Sequence, residues 1–197
     1  MDFAALAELC APTMGAETLS SIVAVESSGN PYAIGIVGGH LRRQPQSLSE
    51  AVATADMLEA FGYNYSLGLA QINRAHFQRF GMTHVSAFDP CLNARASAVI
   101  WNDCLKRAGG TETGFGDALS CYNSGNLTTG YRNGYVTRVL KARAAISGGV
   151  EVVSDTMGSR TRKSAPRPPE RPSEALLTAS TAKTTDQQAR DTTALLF

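Results

Sequence analysis

Residues 19–31 read Leu19-Ser20-Ser21-Ile22-Val23-Ala24-Val25-Glu26-Ser27-Ser28-Gly29-Asn30-Pro31. Leu19, Ile22 and Val23 recur at i, i+3 and i+4, the spacing of one helix face, and predict a helix over residues 17–28. One step further along that face, i+7 falls on Glu26, so a carboxylic acid stands where the pattern calls for a core side chain. Ala24 and Val25 beside it are apolar too. A carboxyl group held against a low-dielectric wall resists ionisation and its pKa rises. A general acid needs that property to carry a proton near neutrality. Ser27-Ser28-Gly29-Asn30-Pro31 then stops the helix, because Pro31 disfavours helical geometry at Asn30. Glu26 is therefore expected in the last turn, at the edge of a cleft. The bland alternative is a glutamate that fringes the apolar stripe and points to water.

Working outward, the remaining signals are helical. Ser47 and Glu50 form the S-x-x-E pattern of a capping box, and Ala51, Val52, Ala55 and Leu58 line one face after it. Asp89-Pro90 opens a helix over 91–107 that carries Ala96, Val99, Ile100 and Cys104, with Trp101 expected in the core, and Gly109-Gly110 ends it. Asp117 to Tyr122 predicts a short apolar helix stopped near Gly125, and residues 134–146 another with Val136, Val139, Leu140 and Ile146. The intervening segments are rich in Gly, Asn, Tyr and Ser, so a small sheet or hairpin is expected at 32–41 and 63–73. The fold class is mainly α, with at most a small β-hairpin, over residues 1–147. Composition changes near Gly148-Gly149. Residues 151–197 hold thirteen Ser/Thr and four of the eight prolines but no Cys, Trp or Tyr, so 148–197 reads as a disordered tail that buries too little apolar surface to offset its ordering entropy. Glu174 to Ala179 is the one stretch of it expected to form a helical turn.

Composition also excludes functions. The 197 residues and 20.8 kDa suit one domain plus a tail, and 43% hydrophobic residues supply a core. Lys+Arg 18 against Asp+Glu 17 leaves a net charge of +1, without the surplus cations that a nucleic-acid partner requires. No apolar run approaches the ~18 residues of a membrane span. His40, His76 and His84 share no metal-ligand spacing, so neither metal nor cofactor is expected. Cys10, Cys91, Cys104 and Cys121 include no C-x-x-C pair; their even number favours two disulfides in an oxidising compartment over buried free thiols. Cys91 and Cys104 would lie ~20 Å apart along one helix, beyond the reach of a bridge. Cys91 then pairs with Cys10 or Cys121 and Cys104 takes the other, and the sequence does not choose. A secretory signal is not visible, since Met1-Asp2 lacks a cationic start and Phe3–Leu9 is too short and mixed.

Two further segments join Glu26. In Ser66-Leu67-Gly68-Leu69-Ala70-Gln71-Ile72-Asn73, Gly68 permits close backbone approach and the Gln71 and Asn73 amides suit sugar hydroxyls and N-acetyl groups. In Cys121-Tyr122-Asn123-Ser124-Gly125-Asn126, Tyr122 can donate a hydrogen bond and stack on a pyranose face. Val25-Glu26-Ser27, Gly68-Leu69-Ala70-Gln71 and Tyr122-Asn123-Ser124-Gly125, in that order, resemble the motifs of the lytic transglycosylases, and most nearly the VirB1-type branch that accompanies type IV secretion and conjugation systems. The resemblance covers roughly residues 5–146.

The resemblance implies a lysozyme-like, goose-type lysozyme fold and cleavage of peptidoglycan glycan strands in the periplasm. It implies Glu26 as the single catalytic acid, Gln71 as a cleft-lining glutamine, Tyr122 as the tyrosine facing the acid, Asn123 beside it, and Ser66 as a substrate contact. Ala70 departs from the methionine that many members carry, which alters pocket shape more than chemistry. Most glycosidases use two carboxylates. Here Asp56 and Glu59 are expected to face water and Asp89 to cap a helix, leaving Glu26 alone. The implied route is protonation of the glycosidic oxygen, help from the muramoyl N-acetyl group, and attack of the C6 hydroxyl on C1 to close a 1,6-anhydro ring. A non-catalytic peptidoglycan-binding scaffold and a hydrolysing lysozyme are the competing readings. The tail is expected to be either an inert extension or a docking segment for type IV secretion channel proteins.

Overall fold

The computed structural model describes residues 1–110 and 114–148. Nine α-helices are found there: α1 (Phe3–Cys10), α2 (Ala16–Glu26), α3 (Leu48–Ala60), α4 (Phe77–Phe80), α5 (His84–Ala87), α6 (Pro90–Arg107), α7 (Phe115–Ser124), α8 (Thr129–Arg132) and α9 (Tyr135–Ser147). Three short strands, β1 (Ile34–Ile36), β2 (Tyr65–Leu67) and β3 (Ile72–Asn73), form one antiparallel sheet in the order β1-β2-β3. Both segments expected to hold β structure do so, and the third strand makes it a sheet. The tail expectation and the helical turn at 174–179 lie, apart from Gly148, outside the described residues. No helix among the described residues is long and apolar enough to cross a membrane.

α2 ends at Glu26, two residues short of the 17–28 read from the sequence, so Glu26 lies in its last turn as expected. Ser28 and Gly29 both take left-handed backbone, at φ 52° and 79°, and the Asn30 side chain accepts from the Tyr32 amide to turn the chain. Leu19, Ile22 and Val23 are wholly buried, each contributing roughly 1.5–3 kcal/mol through removal from water. They pack with Leu119, Val136 and Val139 in a core shared by α1, α2, α6, α7 and α9, which also holds Trp101. A second cluster gathers Ile34, Leu67 and Tyr65 of the sheet with Ala51, Ala55 and Leu58 of α3 and Phe88.

The predicted caps form. Ser47 accepts from the Glu50 amide at the start of α3, although the Glu50 carboxylate reaches back to the Gln46 amide, one residue before the cap itself. Asp89 accepts from the Leu92 amide, with Pro90 as the first residue of α6. α1 is an element that periodicity did not supply; it is started by Asp2, whose carboxylate accepts from the Ala4 and Ala5 amides. The disulfides are Cys10–Cys91 and Cys104–Cys121, one of the two pairings left open by helix geometry. The first ties α1 to α6, the second α6 to α7.

Candidate active site

Glu26 sits in the final turn of α2, partly exposed. Its Oε1 accepts a hydrogen bond of 2.7 Å from the Tyr135 hydroxyl. Oε2 has no hydrogen-bond partner among the described residues, yet no buried side-chain oxygen there is left unsatisfied, so Oε2 reaches solvent. One oxygen is thus anchored and the other open. Burial raises the Glu26 pKa from 4.5 to about 7, against the Tyr135 hydrogen bond and the Arg138 charge, which lower it. Desolvation wins because apolar side chains crowd the carboxyl while a single donor and one cation favour its charged form. Near neutrality both protonation states are populated, as a group that first gives and then takes a proton requires.

Tyr135 was not among the sequence candidates. It opens α9 and is 1% exposed, one turn before buried Val139 on the same face. A tyrosine on a buried helix face needs a partner for its hydroxyl, and that was the available signal. Its position is fixed at the backbone: Asn133 Oδ1 accepts from the Tyr135 amide at 3.0 Å, and Asn133 Nδ2 donates to Asn123 Oδ1 at 2.8 Å. Arg138 donates to the Asn133 carbonyl at 3.1 Å, and its guanidinium lies 5.9 Å from the Tyr135 ring centre. Asn123 therefore reaches Glu26 through Asn133 and Tyr135.

Tyr122 lies close enough to Glu26 for the glutamate charge to add to burial in raising its pKa. Its hydroxyl, however, is committed elsewhere, donating to the Ala70 carbonyl at 2.9 Å while Ser97 lies 3.0 Å away. The tyrosine that bonds the acid is Tyr135. Tyr122 acts on the turn between β2 and β3.

That turn is gripped from several sides. Asn93, fully buried on α6, accepts from the Ala70 amide and donates to the Leu67 and Ala87 carbonyls, all at 2.8–2.9 Å. Gly68 has φ 80°, and a Cβ there would come within 2.4 Å of Asn93 Nδ2 and 2.5 Å of the Ala87 carbonyl, so only glycine fits. Gln71 takes left-handed backbone at φ 51°. Its Nε2 donates to the Gly68 and Ala33 carbonyls at 2.8 and 3.0 Å, so this amide ties the turn to the residue that leads into β1. Ser66 is buried on β2 and accepts from Asn73 Nδ2 at 3.3 Å across the sheet.

No second carboxylate accompanies Glu26 among the described residues that line this arrangement. Glu59 accepts from Tyr65 and pairs with Arg74, Asp56 pairs with His84 at 2.5 Å, and Asp89 caps α6. Asp56 and Glu59 are exposed as expected, but each has a partner. No group of three His, Cys, Asp or Glu side chains among the described residues has the arrangement of a metal site.

The transglycosylase SLT domain family matches residues 4–144, most of the chain and all three motifs. The chain belongs to this family. Among curated relatives of this SLT-domain protein, the type IV secretion system protein virB1 of Brucella suis biovar 1 is 44% identical over 161 residues, covering 77% of this chain and 68% of the relative. That of Brucella abortus biovar 1 is 49% identical over 135 residues, covering 66% and 57%. Protein virB1 of Agrobacterium fabrum is 34% identical over 145 residues, covering 70% and 58%. The chain thus spans between 57% and 68% of the length of these relatives. No solved structure matches it.

Proposed function

We propose that this SLT-domain protein is a peptidoglycan lytic transglycosylase that cleaves the bond between N-acetylmuramic acid and N-acetylglucosamine and leaves a 1,6-anhydro end. The observation that carries the reading is Glu26 itself: a carboxyl raised to about 7, with one oxygen held by Tyr135 and the other open. Protonated Glu26 gives its proton to the glycosidic oxygen as the C1–O bond breaks, and the leaving sugar departs as an alcohol. The muramoyl N-acetyl oxygen supports the positive charge that develops at C1. Glu26, now a carboxylate, takes the proton of the C6 hydroxyl as its oxygen bonds to C1. The proton count closes on Glu26 and no water enters. Tyr135 keeps its bond to Oε1 throughout and favours the carboxylate in the second half. Positioned acid and base help of this kind contributes ~10²–10⁴-fold.

Gln71, Tyr122 and Asn123 serve this reading as the frame of the groove, and Ser66 as its substrate contact. The names of the relatives support a place beside a type IV secretion apparatus, where local opening of the wall clears room for assembly, and hence a role outside the cytoplasm. The tail at 148–197 is the segment proposed to meet channel proteins.

Incubation with purified sacculi followed by mass spectrometry of the soluble products tests the reaction. Anhydro-muropeptides are expected from the wild-type protein and none from Glu26→Gln. Reducing ends would instead assign a hydrolysing lysozyme, and bound but intact wall a scaffold.

A further inference from the structure

β1 is an edge strand, paired with β2 on one side and with no strand beyond it on the other among the described residues. In an antiparallel pair the amide and carbonyl of one residue point toward the partner strand and those of the next point away. Ala33 and Val37, which flank β1, point toward β2: the Ala33 carbonyl accepts from the Gly68 amide at 2.9 Å, and the Val37 amide donates to the Asn64 carbonyl at 2.9 Å. Ile34 therefore turns its amide and carbonyl to the open edge. One side chain meets both. Gln44 Oε1 accepts from the Ile34 amide at 2.8 Å and Gln44 Nε2 donates to the Ile34 carbonyl at 3.1 Å, the two bonds that a residue of a further strand would make. Gln44 is itself held on both sides, because Pro45 after it is buried and Arg43 before it pairs with Glu50 of α3 at 2.6 Å.

Covering an edge in this way guards it against pairing with another chain, but the residues on either side of Ile34 carry a second glutamine. Gln71 Nε2 donates to the Ala33 carbonyl at 3.0 Å, and Gln71 Oε1 rests over Gly35, where a Cβ would come within 2.6 Å of it. Gly35 lies opposite Ser66 in the register, and Ser66 opposite Asn73, so these positions share one face of the sheet. The two glutamines thus clasp the same stretch, Ala33 to Gly35, one from the edge and one from the face. β1 has only three residues, so few ladder bonds of its own hold it in place. We propose that Gln44 is a positioning residue for substrate binding: it stands in for the missing strand, fixes β1, and through Ala33 and Gly35 sets where the Gln71 amide lies. The proposal rests on the transglycosylase reading for the identity of the ligand, a glycan strand. Glu26 and Tyr135 belong to α2 and α9 and take no part in this clasp, so the effect falls on binding and not on the proton donor.

Gln44→Met keeps the length of the side chain and removes both bonds. With soluble glycan strands and the full chain, KM is expected to rise at least fivefold while kcat stays within twofold and the alkaline limb of the kcat/KM profile does not move, the pattern of lost binding that ground and transition states share. An unchanged KM, or a fall in kcat alone, overturns the proposal. In a Gln71→Ala protein the same substitution is expected to change KM less than twofold, because the group that Gln44 positions is gone, and a fivefold effect there overturns the proposal as well. NMR of the full chain gives a readout that needs no turnover. Exchange of the Ile34 amide hydrogen should quicken at least tenfold and the Gln71 side-chain amide signals should shift, while Ile22 and Val23 in α2 stay as they were; unmoved Gln71 signals overturn the proposal. Gln44→Glu keeps an acceptor for the Ile34 amide and loses only the donor, so it should fall between wild type and Gln44→Met in KM and in Ile34 exchange, and it decides the matter if Gln44→Met does not fold. If the wild-type protein cleaves no strand, the transglycosylase reading fails, and the NMR comparison alone decides whether Gln44 positions Gln71.

Discussion

Replacing Glu26 by Gln should stabilise the protein while abolishing its chemistry, and the gain should depend on pH in a way fixed by the site. Glu26 is raised from 4.5 to about 7 in the folded chain, so the folded state holds its proton more tightly than the unfolded state does. For a carboxyl raised in this way, stability is greatest below the unfolded pKa. It declines as pH rises through the folded one, and is level above it. At about 1.4 kcal/mol per unit the displacement corresponds to about 3 kcal/mol, and the solvent-facing Oε2 trims this to about 2–3 kcal/mol. Glutamine keeps an oxygen to accept from Tyr135 but carries no charge to desolvate. Urea unfolding of both proteins with disulfides intact, at steps from about pH 4 to 8, measures the difference directly, because every other titrating group is shared. The margin in favour of Glu26→Gln should widen by about 2–3 kcal/mol between roughly pH 4.5 and 7.5 and then hold. A constant margin across that interval would mean that Glu26 titrates like a carboxylate in water, and the physical basis for a proton donor at this position would be gone.

Other expectations concern the frame around the acid. Tyr135→Phe removes a hydrogen bond that favours the carboxylate; at about 1.5 kcal/mol for a bond to a charged group, the Glu26 pKa should climb by about one unit, moving the alkaline limb of the kcat/KM profile upward by the same amount. Asn133→Ala should move that limb in the same direction with Tyr135 intact, which a purely structural loss, visible only as a lower melting temperature, would not do. Gly68→Ala forces a Cβ to within 2.4 Å of Asn93 Nδ2 and is expected to cost about 3 kcal/mol or more through strain and a broken buried network, read as a lower urea midpoint. Loss of Cys10–Cys91, which spans 81 residues, should cost about 4.5 kcal/mol, against about 3 kcal/mol for Cys104–Cys121, which spans 17; Cys→Ser pairs compared by urea unfolding check the order.

What could be read from the sequence and what could not divide along the reach of local patterns. The end of α2, the Ser47 and Asp89 caps, the extent of α6 and the unusual place of Glu26 all follow from residues within a turn or two of one another, and each is present. The two possible disulfide pairings followed from the length of one helix, and the structure selects Cys10–Cys91 with Cys104–Cys121 because α1 packs on α6. α1 escaped because eight residues hold too few apolar repeats to register, and α4, α5 and α8 have only four residues each. The partner of Glu26 was hidden for a different reason: Tyr135 is 109 residues away, and nothing local distinguishes it from another aromatic at a helix start. Tyr122 was found by its motif, but only three-dimensional packing shows its hydroxyl turned to Ala70.

The bond between Glu26 and Tyr135 joins α2, the second described helix, to α9, the last described one. While a chain is still being synthesised or threaded across a membrane, α2 exists before α9 does, and its glutamate stands uncovered, ionised and idle. Only when Tyr135, Val136 and Val139 close over α2 does water leave and the carboxyl regain a proton to give. The proton donor proposed here is therefore not complete until the last described helix, α9, has packed on α2.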